Sequence, residues 1–221
     1  MPTRPSRPAK RPSVRPRKKP VQKRSQVTVD AIIEAAARSF VREGYASATT
    51  NRIAEVAGVS VGSLYEYFPN KASLLLALIG RQVDGLTRLM GERLAAVKGG
   101  TLEEIVRTIA RAVIEAHYQN VELNRLLIAG TPRVAHWRHI EHVSFAFAEL
   151  NRDALAHLIR DPVRLEHAAF TVETVMDALL QRAILFSHRL PGYRLEEEIT
   201  GVLMGYLQPL TVDADAALAA A

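Results

Sequence analysis

The stretch from Thr50 to Lys71, TNRIAEVAGVSVGSLYEYFPNK, constrains the fold most, because it specifies two short helices and the turn between them. Gly58 follows the first apolar segment and can adopt the positive φ that a helix end often requires. Ser60 is a good N-cap for a second helix. Pro69 stops that helix, because the residue before a proline disfavours the α region. We therefore predict a helix-turn-helix.

The second helix, Val61 to Phe68, has a predicted outer face that is small and polar. At about 100° per residue, four side chains fall on the inner side: Val61, Leu64, Tyr65 and Phe68. The other four fall on the outer side: Gly62, Ser63, Glu66 and Tyr67. A helix with such a surface suits a groove in DNA.

Several short motifs in this region carry a family resemblance. They are Thr49-Thr50, Ile53-Ala54, Ala57-Gly58-Val59-Ser60, Gly62-Ser63-Leu64-Tyr65-Glu66-Tyr67-Phe68 and Lys71. In this order they resemble the DNA-binding segment of TetR/AcrR-family transcriptional regulators, and the close match covers about residues 28–80. The resemblance implies an all-α protein of about nine helices. An N-terminal three-helix DNA-binding domain with a helix-turn-helix would be joined by a long helix to a C-terminal helical ligand-binding and dimerisation domain.

The geometry of the two helices selects the residues that we expect to contact DNA. The outer face would offer base contacts, and polar side chains flanking the pair would contact phosphates. The predicted DNA-binding residues are Thr50, Arg52, Gly62, Ser63, Tyr65, Tyr67 and Lys71. The resemblance implies the same roles for Thr50, Ser63, Tyr65, Tyr67 and Lys71.

Two outer-face residues need a particular explanation. Gly62 costs about 1 kcal/mol relative to alanine inside a helix, and close approach of the backbone to DNA would compensate for that cost. Glu66 would be repelled by phosphates, unless it accepts a hydrogen bond from a cytosine amino group or pairs with Arg52.

Helix periodicity and chain breakers indicate the domain organisation. The first helix is predicted from about Thr28 to Glu43, and the fourth, capped by Asn70, runs to about Lys98. Asp161-Pro162 would open a long eighth helix. The predicted segments are a disordered basic arm (1–24), a DNA-binding domain (25–86, with the DNA-binding segment at 49–68), a ligand-binding and dimerisation domain (87–209) and a flexible tail (210–221).

Homodimerisation is predicted through the last two long helices. Family resemblance implies this pairing, and the eighth helix has apolar residues on more than one side. In the ninth, Gly201 and Gly205 are four residues apart, so a partner helix could approach closely. The alternative is that both helices are buried only within their own subunit.

The resemblance also implies a small-molecule effector bound among the middle helices. The candidate pocket residues are His117, Tyr118, Trp137, Phe145, Phe170 and Met176, with Phe147 and Arg133 as further candidates. Each of them is alternatively an ordinary core or surface residue.

Composition argues against several other classes of protein. The chain contains no cysteine, and no apolar run reaches the roughly 18 residues that span a bilayer. We therefore expect a cytoplasmic protein without membrane association. His136, His139 and His142 are spaced by three, but no further motif supports a metal site, and we predict neither a metal nor a cofactor. No catalytic signature stands out, so we do not expect an enzyme.

We therefore expect a ligand-responsive transcriptional regulator that binds a double-stranded DNA operator, and specifically a repressor released by a small molecule. The alternative is a non-regulatory helical bundle that binds nucleic acid or a small molecule. Sequence-selective binding to DNA near the protein's own gene would distinguish the two.

The basic arm yields a test. Residues 1–24 contain ten Lys/Arg, six prolines and no acid, whereas the remaining 197 residues hold 19 Lys/Arg against 23 Asp/Glu. If the arm binds phosphates, its deletion should flatten the salt dependence of DNA binding, by about 0.9 in the log–log slope for each phosphate that the arm neutralises. The same slope in the truncated protein, measured by salt titration, would identify the arm as a solvated leader.

Overall fold

A computed structural model describes residues 23–130, 146–186 and 194–211. These residues form nine α-helices and no strand, which confirms the predicted all-α class. The helices are α1 (Lys23–Ser47), α2 (Thr50–Ala57), α3 (Val61–Tyr67), α4 (Lys71–Ala96), α5 (Leu102–Tyr118), α6 (Val121–Gly130), α7 (146–155), α8 (Pro162–Phe186) and α9 (Leu195–Leu207). A 3₁₀ turn, Gln208–Leu210, follows α9.

Local capping signals explain most of the helix starts. Asn70 and Ser73 form a reciprocal capping box at the start of α4, and Thr101 and Glu104 form another at the start of α5. The Asp161 carboxylate accepts hydrogen bonds from the first backbone N–H groups of α8. Because each signal lies within four residues, the sequence alone identifies it.

Helix α1 differs from the prediction at its N-terminus. It begins at Lys23 instead of Thr28, so the last two residues assigned to the basic arm belong to this helix. Gly44, with φ 77°, interrupts the helix where its end was predicted. Residues 1–22 and 212–221 lie outside the described residues, so the predicted arm and tail stay predictions.

Two hydrophobic cores organise the described helices. The first joins α1, α2, α3 and the N-terminal half of α4, and its fully buried side chains include Phe40, Leu64 and Leu74. We call this part the DNA-binding unit. The second core joins the C-terminal half of α4 to α5, α7, α8 and α9, with Met90 and Ile109 among its buried side chains. Helix α4, about 39 Å long at 1.5 Å per residue, contributes to both cores.

A second connection between the two cores comes from α6. Leu123 of α6 is buried in the core of the DNA-binding unit, and Leu126 and Leu127 pack against the same core. Val121 and Ile128, on the same helix, pack against the other core. Helix α6 therefore ties the C-terminal helices to the DNA-binding unit independently of α4. None of the described helices is long and apolar enough to cross a membrane.

Candidate nucleic-acid interface and ligand cavity

The turn between α2 and α3 has the geometry that its sequence predicts. Gly58 adopts a left-handed conformation (φ 68°, ψ 29°), which a side chain would strain. The Ser60 side chain accepts a hydrogen bond from the backbone N–H of Ser63 and caps α3. Thr49 caps α2 in the same way, by accepting from the N–H of Arg52. These local features fix the starts of both helices and the end of α2.

The buried face of α3 consists of Leu64, Tyr67 and Phe68, at positions i, i+3 and i+4. The prediction that Tyr67 faces outward is wrong: only 7% of this residue is exposed, and it belongs to the core of the DNA-binding unit. Val61 and Tyr65, expected on the inner side, are each 39% exposed. Tyr67 is therefore removed from the set of base-reading residues.

Hydroxyl groups connect α3 to the residues around it. We call α3 the reading helix, because it is the helix that the sequence predicts to contact DNA bases. The oxygens of the Thr50 and Tyr65 hydroxyls lie 2.9 Å apart, so one hydroxyl donates to the other across the two helices. The Ser60 and Ser63 hydroxyl oxygens are also 2.9 Å apart. Three predicted DNA-binding residues, Thr50, Ser63 and Tyr65, therefore use their hydroxyls in contacts that hold the helix-turn-helix together.

The two predicted cations have partners within the protein. Arg52 forms an ion pair with Glu55 at 2.7 Å, and this hydrogen bond and charge raise the pKa of the guanidinium. The Lys71 ammonium donates to the carbonyls of Ala46 (2.8 Å) and Ala48 (3.0 Å). It also lies 4.7 Å from the centre of the Tyr45 ring. Lys71 therefore stabilises the α1–α2 turn, and its contact with a phosphate stays a prediction.

Gly62 is exposed on α3, and nothing inside the protein requires a glycine there. A methyl group at this position would have the Ser60 hydroxyl oxygen as its nearest neighbour, at an ordinary van der Waals distance of 3.7 Å. The helix-breaking cost of Gly62 therefore has no compensation within the described residues. Close approach of another molecule to the backbone would provide one.

Comparison with known proteins identifies the family. Residues 32–78 match the family described as "Bacterial regulatory proteins, tetR family". Residues 101–207 match the family described as "Tetracyclin repressor-like, C-terminal domain". Together the two matches cover most of the chain. The chain is a TetR-family transcriptional regulator.

Individual relatives agree with this assignment. The HTH-type transcriptional repressor AcnR of Corynebacterium efficiens is 29% identical over 154 residues, which cover 68% of this regulator and 79% of AcnR. The crystal structure of a TetR-family protein from Mesorhizobium loti has a TM-score of 0.68 at 21% identity, covering 86% of this chain and 100% of its own. The multidrug binding protein EbrR, solved with imidazole, has a TM-score of 0.62 at 22% identity, covering 83% and 94%.

Helices α4, α5, α6, α7 and α8 of the TetR-family regulator line a cavity of about 450 Å³. Of the six predicted pocket residues, His117 and Met176 line it, as does the further candidate Phe147. Two predictions are wrong: Phe170 is 62% exposed on α8, and Tyr118 is exposed at the end of α5, so neither lines the cavity. Trp137, Phe145 and Arg133 lie outside the described residues.

Sequence reasoning missed the polar part of the cavity wall. Glu173, Asp177 and Gln181 line it from α8, and the Gln181 amide donates to both Asp177 carboxylate oxygens at 2.7 Å. Asn151 of α7 also lines it, and its buried side-chain oxygen has no hydrogen-bond partner among the described residues. The i, i+4 and i+8 spacing of the three α8 residues, which places them on one face of the helix, was the signal that could have revealed this wall.

His117 contributes an acceptor to the cavity. Its Nδ1 lies 2.8 Å from the Val113 carbonyl oxygen, so this nitrogen carries the proton and donates it. Burial lowers the pKa of the imidazole, against smaller opposing effects of that hydrogen bond and of Asp177. The ring is therefore neutral near pH 7, and its other nitrogen is a hydrogen-bond acceptor.

The described residues contain no group of three or more His, Asp or Glu that could hold a metal ion. His136, His139 and His142 lie outside the described residues, and the expectation that the protein holds no metal stays a prediction.

The exposed position of Gly62 predicts how a methyl group there changes stability and operator affinity. Gly62→Ala should raise the free energy of unfolding by about 1 kcal/mol through helix propensity, but lower operator affinity by about tenfold or more through a clash with DNA. Gly80→Ala, in an open position on α4, is the matched control, since it should stabilise the protein and leave operator affinity unchanged. Unchanged operator affinity for Gly62→Ala would show that no close approach occurs there.

The buried position of Tyr67 predicts a stability defect. Tyr67→Ala should lower the free energy of unfolding by about 3 kcal/mol, since it leaves a cavity in the core of the DNA-binding unit. Tyr65→Ala, which removes an exposed ring, should cost less than half as much. Urea denaturation of both variants measures the difference, and equal losses would contradict the assigned orientation of α3.

Proposed function

We propose that this TetR-family regulator is a repressor that binds a two-fold symmetric operator as a homodimer and leaves it when a small-molecule effector binds. The observation that carries the proposal is the exposed, capped reading helix α3 in a DNA-binding unit that shares two helices with the cavity-bearing domain. The name of the similar AcnR, a transcriptional repressor, supports repression over activation. Cytoplasmic localisation follows from such a function.

An exposed apolar surface on α8 and α9 supports the homodimer. Phe170 on α8 is 62% exposed and Val202 on α9 is 51% exposed, with Tyr206 also exposed. Gly201 and Gly205, exposed on α9, have open space where a side chain would stand. A second copy of the same surface would cover these residues, and it would carry a second reading helix to a second half-site, about 34 Å or a multiple of this away.

The cavity is a suitable effector site, because its size falls in the range of small-molecule pockets, about 300–1,000 Å³. The similar EbrR is described as a multidrug binding protein and was solved with imidazole. Two acceptors of the wall have no hydrogen-bond partner among the described residues, the second ring nitrogen of His117 and the buried side-chain oxygen of Asn151. They favour an effector with an apolar body and hydrogen-bond donors.

Helices α4 and α6 provide the route from the cavity to the DNA. Both helices line the cavity, and both contribute side chains to the core of the DNA-binding unit. Two bonds attach α6 to the C-terminal helices: the Asn124 amide donates to the His117 carbonyl (2.7 Å), and Arg125 donates to the Ile184 carbonyl (3.4 Å). An effector that binds better to one spacing of the two reading helices would shift the population toward that spacing.

The alternative, a helical bundle without a regulatory role, has no specific observation in its favour. A bundle that binds nucleic acid or a small molecule without a regulatory role gives no reason for a DNA-binding unit and a cavity that share helices α4 and α6.

The proposed dimer surface predicts that a charge placed on it prevents dimerisation. Phe170→Asp should give a monomer in light scattering and weaken operator binding, because a single reading helix remains on each particle. Val27→Asp is the matched control: Val27 is 65% exposed but lies on α1, which packs mainly against α2, α4 and α6, so its dimer should persist. A dimeric Phe170→Asp would place the interface elsewhere.

The proposed effector site predicts how a bound compound changes the melting temperature and the operator affinity. A compound that raises the melting temperature of the wild type should also weaken its operator binding, by about 5- to 150-fold. Ala116 is part of the cavity wall, so the ring introduced by Ala116→Phe would occupy the cavity. This variant should lose both the rise in melting temperature and the loss of operator affinity, while its unfolding stays cooperative. Ala95→Phe, at an exposed position of α4 outside the wall, should keep both.

Two outcomes would contradict the effector proposal. If no compound from a chemically broad collection changes both the melting temperature and operator affinity, release by an effector is unsupported. If Ala116→Phe responds like the wild type, the effector binds elsewhere.

A further inference from the structure

Glu66 is the only charged residue of the reading helix, VGSLYEY. It lies one turn after Gly62, so the two residues share the outward side of α3. Its side chain is exposed, and within the described parts of the chain its carboxylate forms no hydrogen bond or ion pair. Wherever Gly62 brings the backbone close to DNA, Glu66 enters the same groove.

A carboxylate in a DNA groove is repelled by the phosphates and weakens DNA binding, unless it has a specific hydrogen-bond partner. The one candidate partner that the sequence suggested within the protein is Arg52, and Arg52 is paired with Glu55 at 2.7 Å. The partner that compensates for the charge must then come from the DNA itself.

The chemistry of the base edges identifies that partner. An ionised carboxylate only accepts hydrogen bonds, so guanine, which presents two acceptors in the major groove, repels it. Adenine places an acceptor beside its amino group, whereas cytosine presents its N4 amino group as a donor. Building on the operator binding proposed above, we propose that Glu66 is a specificity-determining residue that accepts a hydrogen bond from the N4 amino group of a cytosine, once in each half-site.

The other side chains of α3 make Glu66 more important for base recognition. The Ser63 hydroxyl is 2.9 Å from that of Ser60, and the Tyr65 hydroxyl is 2.9 Å from that of Thr50. Val61 is apolar and Tyr67 is buried. Glu66 is therefore the exposed polar side chain of α3 that has no hydrogen-bond or ion-pair partner among the described residues, so its carboxylate is free to bind a base.

The first experiment is a selection from randomised duplexes with the full-length wild type, Glu66→Gln and Glu34→Gln. The wild-type operator should require cytosine at one position in each half-site. Glu66→Gln should lose that preference by about fivefold or more and keep the preferences at other positions. Glu34→Gln removes an exposed carboxylate of α1 and should keep every preference, which separates base reading from net charge.

The second experiment removes only the amino group. In the selected operator, that cytosine is replaced by its 4-deamino analogue, 2-pyrimidinone, opposite the same guanine. Wild-type affinity should fall about fivefold or more, whereas the affinity of Glu66→Gln should respond much less.

The outcomes separate this inference from the proposed function. A specific operator whose selection profile is the same for the wild type and Glu66→Gln would overturn the role of Glu66 alone. Equal losses of both proteins on the 2-pyrimidinone duplex would do the same. A wild type that enriches no sequence would overturn the proposed function and this inference together.

Discussion

The rest of the structure depends on the burial of Leu123, from α6, in the core of the DNA-binding unit. A three-helix unit alone has a small core, and burial of a leucine contributes about 1.5–3 kcal/mol. The same helix lines the cavity through Leu127 and Ile128. Because α6 serves both the DNA-binding core and the cavity wall, it connects the cavity physically to the core on which α3 packs.

Side-chain hydrogen bonds also hold the helix-turn-helix in place. Thr50 and Tyr65 bond to each other across α2 and α3, and Lys71 holds the preceding turn through two carbonyls. A reading helix of seven residues has too few internal hydrogen bonds to be stable by itself. Its orientation relative to α4 is therefore set by these contacts and by the core.

The sequence predicts those parts of the fold that depend on local chemistry. The left-handed Gly58, the Ser60 cap and the Thr101–Glu104 capping box act over two to four residues, and all were recognisable in advance. The orientation of α3 was not. Its two tyrosines are two positions apart on a short helix, and packing against residues distant in sequence decides which of them is buried.

The cavity was harder to predict for the same reason. Aromatic character led to Phe170 and Tyr118, which are exposed, because a large apolar residue serves a subunit interface as well as it serves a pocket. The polar wall was missed, because Asn151 and Asp177 lie on different helices and converge only in the folded chain. Polar residues that recur every four positions, as the three polar residues of the α8 wall do, are a better guide to such a wall than aromatic residues.

The central claim is that this TetR-family regulator recognises specific DNA as a dimer through α3. Selection of bound fragments from the genome that encodes it tests this claim most directly. We predict that fragments retained at physiological salt share one motif of approximate two-fold symmetry. Fragments enriched without a common motif, with an affinity governed by salt alone, would contradict it.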